Sequence, residues 1–137
     1  MSDKVNNKLI DAIKDINMDI TAVKLLLDRK DIDVNFKDKN MGRTALIWAT
    51  LRNYTDVVGL LLNHNGIDVN TKDKDGYNAL MQASTRGYTF VVNMLLHHKD
   101  IDLDVKDSYG DDLVTRAANS GERYIAEMIN NFIKNKQ

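Results

Sequence analysis

IDVNTKDKDGYNALMQA, Ile67–Ala83, is the stretch that decides how this chain folds. Its first half is turn chemistry: Asp and Asn side chains bond back to nearby backbone, and Gly76 accepts angles that other residues resist. Its second half opens a helix, with Asn78 placed to accept a hydrogen bond from the free N–H groups of the first turn. The same phrase is written on either side. IDVNFKDKNMGRTALIWA begins at Ile32, and IDLDVKDSYGDDLVTRA begins at Ile101.

Four further markers keep this register. Gly42, Gly76 and Gly110 recur at intervals of 34, as do Ala49, Ala83 and Ala117. Val57, Val91 and Ile125 repeat the interval, and so do Asn53, Gly87 and Gly121. One extra residue lies in the first loop, so Asn35 precedes Asn70 by 35. A fixed period of this length is the signature of stacked supersecondary units.

Each period has one grammar. Thr44, Asn78 or Asp112 opens a helix; the three differ chemically but share the ability to cap it. A short amphipathic stretch follows: ALIWATLR, ALMQASTR or LVTRAANS. Asn53, Gly87 or Gly121 then ends it, these being residues that tolerate the left-handed conformation. A second helix comes next, TDVVGLLLNH, TFVVNMLLHH or RYIAEMINNF. Its apolar residues run round most of the circumference, which predicts that it is the more buried of the pair. A loop of about a dozen residues with an Asp-Gly tip, here called a finger, leads to the next unit. The chain start fits more loosely, with LIDAIKDIN as a first helix ending near Asn17 and ITAVKLLLDR as a second. The lysine-rich end, AEMINNFIKNKQ, suits a solvent-facing cap and a helix C-terminus.

Bulk properties agree with one folded unit. The 137 residues suffice for a single domain with a hydrophobic interior. Nineteen basic residues oppose twenty acidic ones, and the net charge of −1 gives no global attraction to nucleic acid or anionic membrane. There is no cysteine, which excludes disulfides, thiolate nucleophiles and thiolate metal sites. No apolar run approaches the ~20 residues of a membrane span. The polar start MSDKVNNKLI has none of the layout of a secretory signal, so a cytoplasmic location is expected.

The pattern resembles the ankyrin repeat, most clearly from about Asp38 to Ile129. The family phrase is Gly, Thr-Pro-Leu-His, Ala-Ala and Gly, Val-Val and Leu-Leu, then Asp-Val-Asn. Here it reads GRTALIWAT, N, DVVGLLL and IDVN, then GYNALMQAS, RG, VVNMLL and IDLD, then GDDLVTRAANSG and YIAEMI. The family's Pro is replaced by Ala45, Ala79 and Leu113, and its His by Ile47, Met81 and Thr115. The resemblance implies an all-α solenoid of about four repeats with terminal capping units. The expected units are residues 1–37, 38–72, 73–106 and 107–137 of one domain. The tetratricopeptide repeat shares the period but needs no Asp-Gly finger after every second helix, and usually carries Pro.

Catalytic and metal signals are weak. Setting Gly76 at the sixth position of a calcium loop puts Thr71 first and Gln82 twelfth, where an acid and a bidentate Glu are needed. His64, His97 and His98 lack carboxylate or Cys partners at ligand spacing. The serines Ser2, Ser84, Ser108 and Ser120 sit in no nucleophile elbow, and no phosphate-cradling glycine loop exists. No enzyme, cofactor or metal is expected. Lys37, Lys72 and Lys106 share a repeat position, each followed by an Asp (38, 73, 107) expected to neutralise it.

Function then rests on the resemblance. It implies a protein-binding scaffold acting as a monomer, with partners on the concave face made by the fingers and the exposed side of each first helix. The matching positions are Met41, Arg43, Trp48, Leu51 and Arg52 in the second unit. In the third they are Lys74, Asp75, Tyr77, Gln82, Thr85 and Arg86. In the fourth they are Ser108, Tyr109, Asp111, Arg116, Asn119 and Ser120. Trp, Tyr and Arg are the residues enriched at interface hot spots, and the arginines favour an acidic partner. Gln82 and Arg116 occupy the repeat position of Trp48, which argues that it faces solvent; the competing reading packs Trp48 against the first unit as core. An alternative role is a structural or inhibitory subunit of an enzyme, docking by helix ends or the convex side.

Overall fold

The computed structural model describes residues 2–136, and among them eight helices and no strand. They form four hairpins: α1 (Ser2–Lys14) with α2 (Ile20–Leu27), and α3 (Ala45–Leu51) with α4 (Thr55–Leu62). Next come α5 (Ala79–Arg86) with α6 (Thr89–Leu96), and α7 (Leu113–Asn119) with α8 (Arg123–Lys136). The first helices stack in the order α1, α3, α5, α7, and the second helices in the order α2, α4, α6, α8. The protein is an all-α repeat solenoid.

The local signals act as the sequence predicts. Thr44, Asn78 and Asp112 accept hydrogen bonds from the N–H groups of Ile47, Met81 and Thr115. Asn53 turns with φ 55° and Gly87 with φ 75°, which sends each second helix back along the first. The first hairpin departs from expectation at its start. Its opening helix begins at Ser2, not near Leu9, and ends at Lys14. Val5 and Asn6 are buried there, extending the inward face by a further turn.

The expected burial of the second helices is overturned. In α3 and α5 nearly every side chain is buried, whereas α4 and α6 leave their outer sides in solvent. Each inner first helix is covered by two neighbouring first helices and by its own partner. The second helices form an outer layer with one free side. The alanines 45, 49, 79, 83 and 117 are all buried and let the first helices approach closely. Leu61, Leu95, Leu96 and Ile129 still carry the apolar seam between layers, while Leu60, Leu62, Met94 and Met128 are only partly buried.

Polar cross-links join one unit to the next. The Asn35 side chain accepts from the Asp68 N–H at 2.8 Å and donates to the Gly66 carbonyl at 2.8 Å. Asn70 does the same one unit on, with the Asp102 N–H at 2.9 Å and the Asp100 carbonyl at 2.8 Å. Asn6 accepts from the Asp33 N–H at 2.8 Å. The repeated Asn of IDVN is therefore an inter-unit clasp. Asp104 takes that position in the last loop, its N–H bonded to the Asp102 carboxylate. On the outer layer, His64 Nε2 lies 3.1 Å from the Leu27 carbonyl, tying α4 to α2.

Two changes test this account. Leu61 is fully buried, so Leu61→Ala is expected to lower stability by about 2–5 kcal/mol in urea melts. The Asn78 side-chain N–H group is buried with no partner, while its oxygen caps α5. Asn78→Thr keeps the cap, removes the orphan donor, and is expected to raise stability by about 1 kcal/mol.

Candidate functional site

Each finger is built on one inward-turned carboxylate. The Asp38, Asp73 and Asp107 N–H groups donate to the Arg43, Tyr77 and Asp111 carbonyls at 2.9–3.0 Å, closing each finger at its base. One carboxylate oxygen then gathers the tip. Asp73 Oδ1 accepts from the Asp75 and Tyr77 N–H groups, and Asp107 Oδ1 from those of Tyr109 and Asp111, at 2.9–3.0 Å. Asp38 Oδ1 accepts from Met41 at 3.0 Å and Arg43 at 3.3 Å. These aspartates therefore do not neutralise the lysines beside them. They point inward because the turn needs an acceptor there. Lys72 instead donates to the Lys106 carbonyl at 3.0 Å.

The second oxygen of each carboxylate meets the first helix or the next finger. Asp38 Oδ2 accepts from Trp48 Nε1 at 2.7 Å. Asp107 Oδ2 accepts from Arg116 Nη1 at 3.0 Å. Asp73 Oδ2 has no hydrogen-bond partner and lies 3.7 Å from Arg43 Nε, which is likewise buried and unpaired. Burial by itself favours the neutral carboxyl of Asp38. The hydrogen bonds from Trp48 and from the Met41, Arg43 and Gly42 backbone outweigh it and hold Asp38 below the ordinary carboxylate range. At Asp107, burial is likewise outweighed, by the Asp111 N–H, Arg116 and the Tyr109 N–H.

Trp48 is thus neither a free surface residue nor a core residue. It is half-buried and anchored through its N–H to the finger. Three cations gather over its ring: Lys14 at 4.8 Å, Arg43 at 4.9 Å and Arg52 at 5.9 Å from the centroid. Such contacts are worth ~0.5–1 kcal/mol each where exposed. A second cluster joins Arg116 to the Tyr77 ring at 4.2 Å. Arg43, Trp48 and Arg52 therefore come together, and so do Tyr77 and Arg116. Lys14 and the finger aspartates belong to these clusters and were not among the expected residues. The aspartates' recurrence in all three fingers, beside tips that vary, was the available signal.

The remaining positions are scattered. Gln82 is buried, at 7% exposure, on a helix flanked by α3 and α7. Its polarity therefore does not mark a solvent-facing position, and Arg116 is held by Asp107. Met41 and Leu51 are half-buried. Lys74 is exposed, but its ammonium donates to the Lys39 carbonyl at 2.7 Å and its N–H to the Met41 carbonyl at 2.8 Å. Gly42 makes this close approach of fingers possible: at φ 67°, a Cβ there would stand 3.3 Å from the Lys74 nitrogen. Asp75, Arg86 and Tyr109 are exposed, and Asp111 is half-buried. The partly exposed Thr85 donates to the Met81 carbonyl and exposed Ser120 to that of Arg116; Ser108 and Asn119 are also exposed.

A cleft of 520 Å³ lies between the turns after α4 and α6, lined by His64, Gly66, His97, His98 and Asp100 among others. His97 Nδ1 lies 2.8 Å from the Asn93 carbonyl, and His98 Nδ1 accepts from the Asp100 N–H. Among the described residues no three His, Asp or Glu side chains gather to hold a metal ion. None of the described helices is long and apolar enough to cross a membrane.

The aspartates set the response to acid. Asp112 is also lowered, by the Thr115 N–H and hydroxyl. The folded values of Asp38, Asp107 and Asp112 lie below those of the unfolded chain. Their contribution is therefore complete above about pH 4 and is lost as pH falls through the lowered folded values. Asp107→Asn is expected to cost about 2 kcal/mol at neutral pH and to flatten the acid limb of stability, read from urea melts across the acid range.

The family model for three copies of the ankyrin repeat matches residues 9–107. No curated protein matches the chain. Ankyrin repeats generally mediate protein–protein interaction and are typically not enzymes. The match runs from within α1 through α6 and covers most of the chain, and the chain belongs to the ankyrin repeat family.

Proposed function

We propose that the chain is a non-catalytic scaffold that takes a protein partner on the face shared by its first helices and fingers. The observation that carries this reading is the division of labour within each finger. One inward-turned carboxylate holds the loop, while the tip side chains beyond it, such as Asp75 and Tyr109, project into solvent. Tips can then differ from unit to unit without disturbing the frame, which is how repeat arrays present extended binding surfaces. Trp48, Leu51, Arg52, Arg86 and Tyr109 supply the aromatic, apolar and guanidinium groups that dominate interface energies. The reading takes residues 1–37, 38–72, 73–106 and 107–137 as the repeated modules. It takes the protein as a monomer in the cytoplasm, a setting in keeping with its lack of cysteine.

A second reading draws on the outer layer. Leu25, Phe90 and Tyr124 are 65%, 64% and 68% exposed on α2, α6 and α8. Phe90 and Tyr124 share a repeat position. An accessory or inhibitory subunit docking by its convex side would use them.

Affinity capture from native lysate separates the two. Trp48→Ala with Arg52→Ala is expected to remove the specific partner, and Phe90→Ala with Tyr124→Ala to leave it bound. The reverse outcome would transfer the function to the outer layer.

A further inference from the structure

The three cations around Trp48 come from different parts of the fold. Lys14 ends α1, Arg43 stands in the finger, and Arg52 follows α3. Like charges brought this close repel unless something negative balances them. Asp38 brings one negative charge to the cluster, its oxygens turned to the finger N–H groups and the indole, so the three cations remain in excess over it. Arg43 leans toward Asp73 at 3.7 Å without a hydrogen bond. Among the described residues, Lys14 and Arg52 form no ion pair, and Arg52 is exposed.

We propose that Lys14, Arg43, Trp48 and Arg52 form a receiving pad for a carboxylate-bearing polypeptide segment. This rests on the reading of that face as the partner-binding one, and it adds the chemistry of the partner. Asp or Glu side chains supply the missing counter-charge through charge-assisted hydrogen bonds. The half-buried indole and the stems of the cations offer apolar area beside it. The same arrangement disfavours nucleic acid. Polyanion backbones are held by a track of many cations, and this cluster is compact. Along the fingers lysines such as Lys39 and Lys74 are interrupted by Asp75 and Asp111, in a chain of net charge −1, so no continuous basic track leads away from it.

Trp48 is the only tryptophan, so its emission reports this pad alone. Random peptides displayed on phage are panned against the wild type and a Lys14→Gln/Arg52→Gln variant, with thermal melts establishing that the variant is folded. Wild-type selections are expected to be enriched in Asp and Glu, and the variant's are not. The selected acidic peptides, and an oligo-glutamate peptide as a defined probe, are expected to shift Trp48 emission saturably. Added salt weakens them, and each single cation change weakens them by about tenfold. Absence of acidic enrichment, or enrichment that survives the double change, overturns the proposal. So does a single-stranded oligonucleotide that outcompetes the acidic peptides, which would indicate nucleic acid instead. Selected peptides that are not acidic but still shift Trp48 emission would leave the scaffold reading standing and this inference refuted. No peptide acting on Trp48 at all would count against both.

Discussion

An inward-turned carboxylate at the base of every finger, buried at Asp73 and Asp107 and half-buried at Asp38, is the constraint on which the functional face depends. Asp38, Asp73 and Asp107 each take two backbone N–H groups on one oxygen, which fixes a tight loop without regular structure. The other oxygen faces inward, and what it meets decides the local surface. It meets an indole in the second unit and a guanidinium in the fourth. In the third, where Gln82 stands, it has no hydrogen-bond donor and only the neighbouring Arg43 for company. Removing such an acceptor strands several donors at once, which costs far more than one net hydrogen bond. Variation is therefore confined to side chains beyond the carboxylate.

Stacking supplies the rest. A single hairpin has no second surface on which to bury its apolar residues, and neighbours provide it. The first helices, rich in alanine, lie in the crowded inner layer, and their closeness brings Lys14 of one unit over Trp48 of the next. The outer layer packs on one side only. Its last member, α8, is longer than the other second helices, and its Phe132 meets the His97 ring edge-on at 5.2 Å. The seam between layers is apolar, while the links between successive loops are amide bonds from Asn35 and Asn70.

The three hairpins that follow a finger, the caps of their first helices and their turn residues were legible in the sequence, because each follows from local chemistry repeated in register. The relative burial of the two helices was not. Counting apolar residues round a helix cannot tell how closely its neighbours will approach, and the small alanines that bring the first helices together weigh little in such a count. The finger aspartates were visible as a repeated residue, but their direction was not, since an Asp next to Lys reads equally well as a surface pair. Lys14 was hidden for another reason. The first unit lacks the finger that sets the register elsewhere, so nothing in the sequence aligns its helix against Trp48. Gln82 misled because a polar residue in an inner helix can be covered by its neighbours.

The asparagine clasps also have a direction. Each amide reaches forward, giving and accepting with the loop ahead, and Asp104 breaks the series because a carboxylate can accept but not give. Modules cut from this protein and rejoined would therefore not be equivalent. The first or second could be spliced ahead of another copy with its fastening intact. The third could not be fastened in the same way until residue 104 carried an amide.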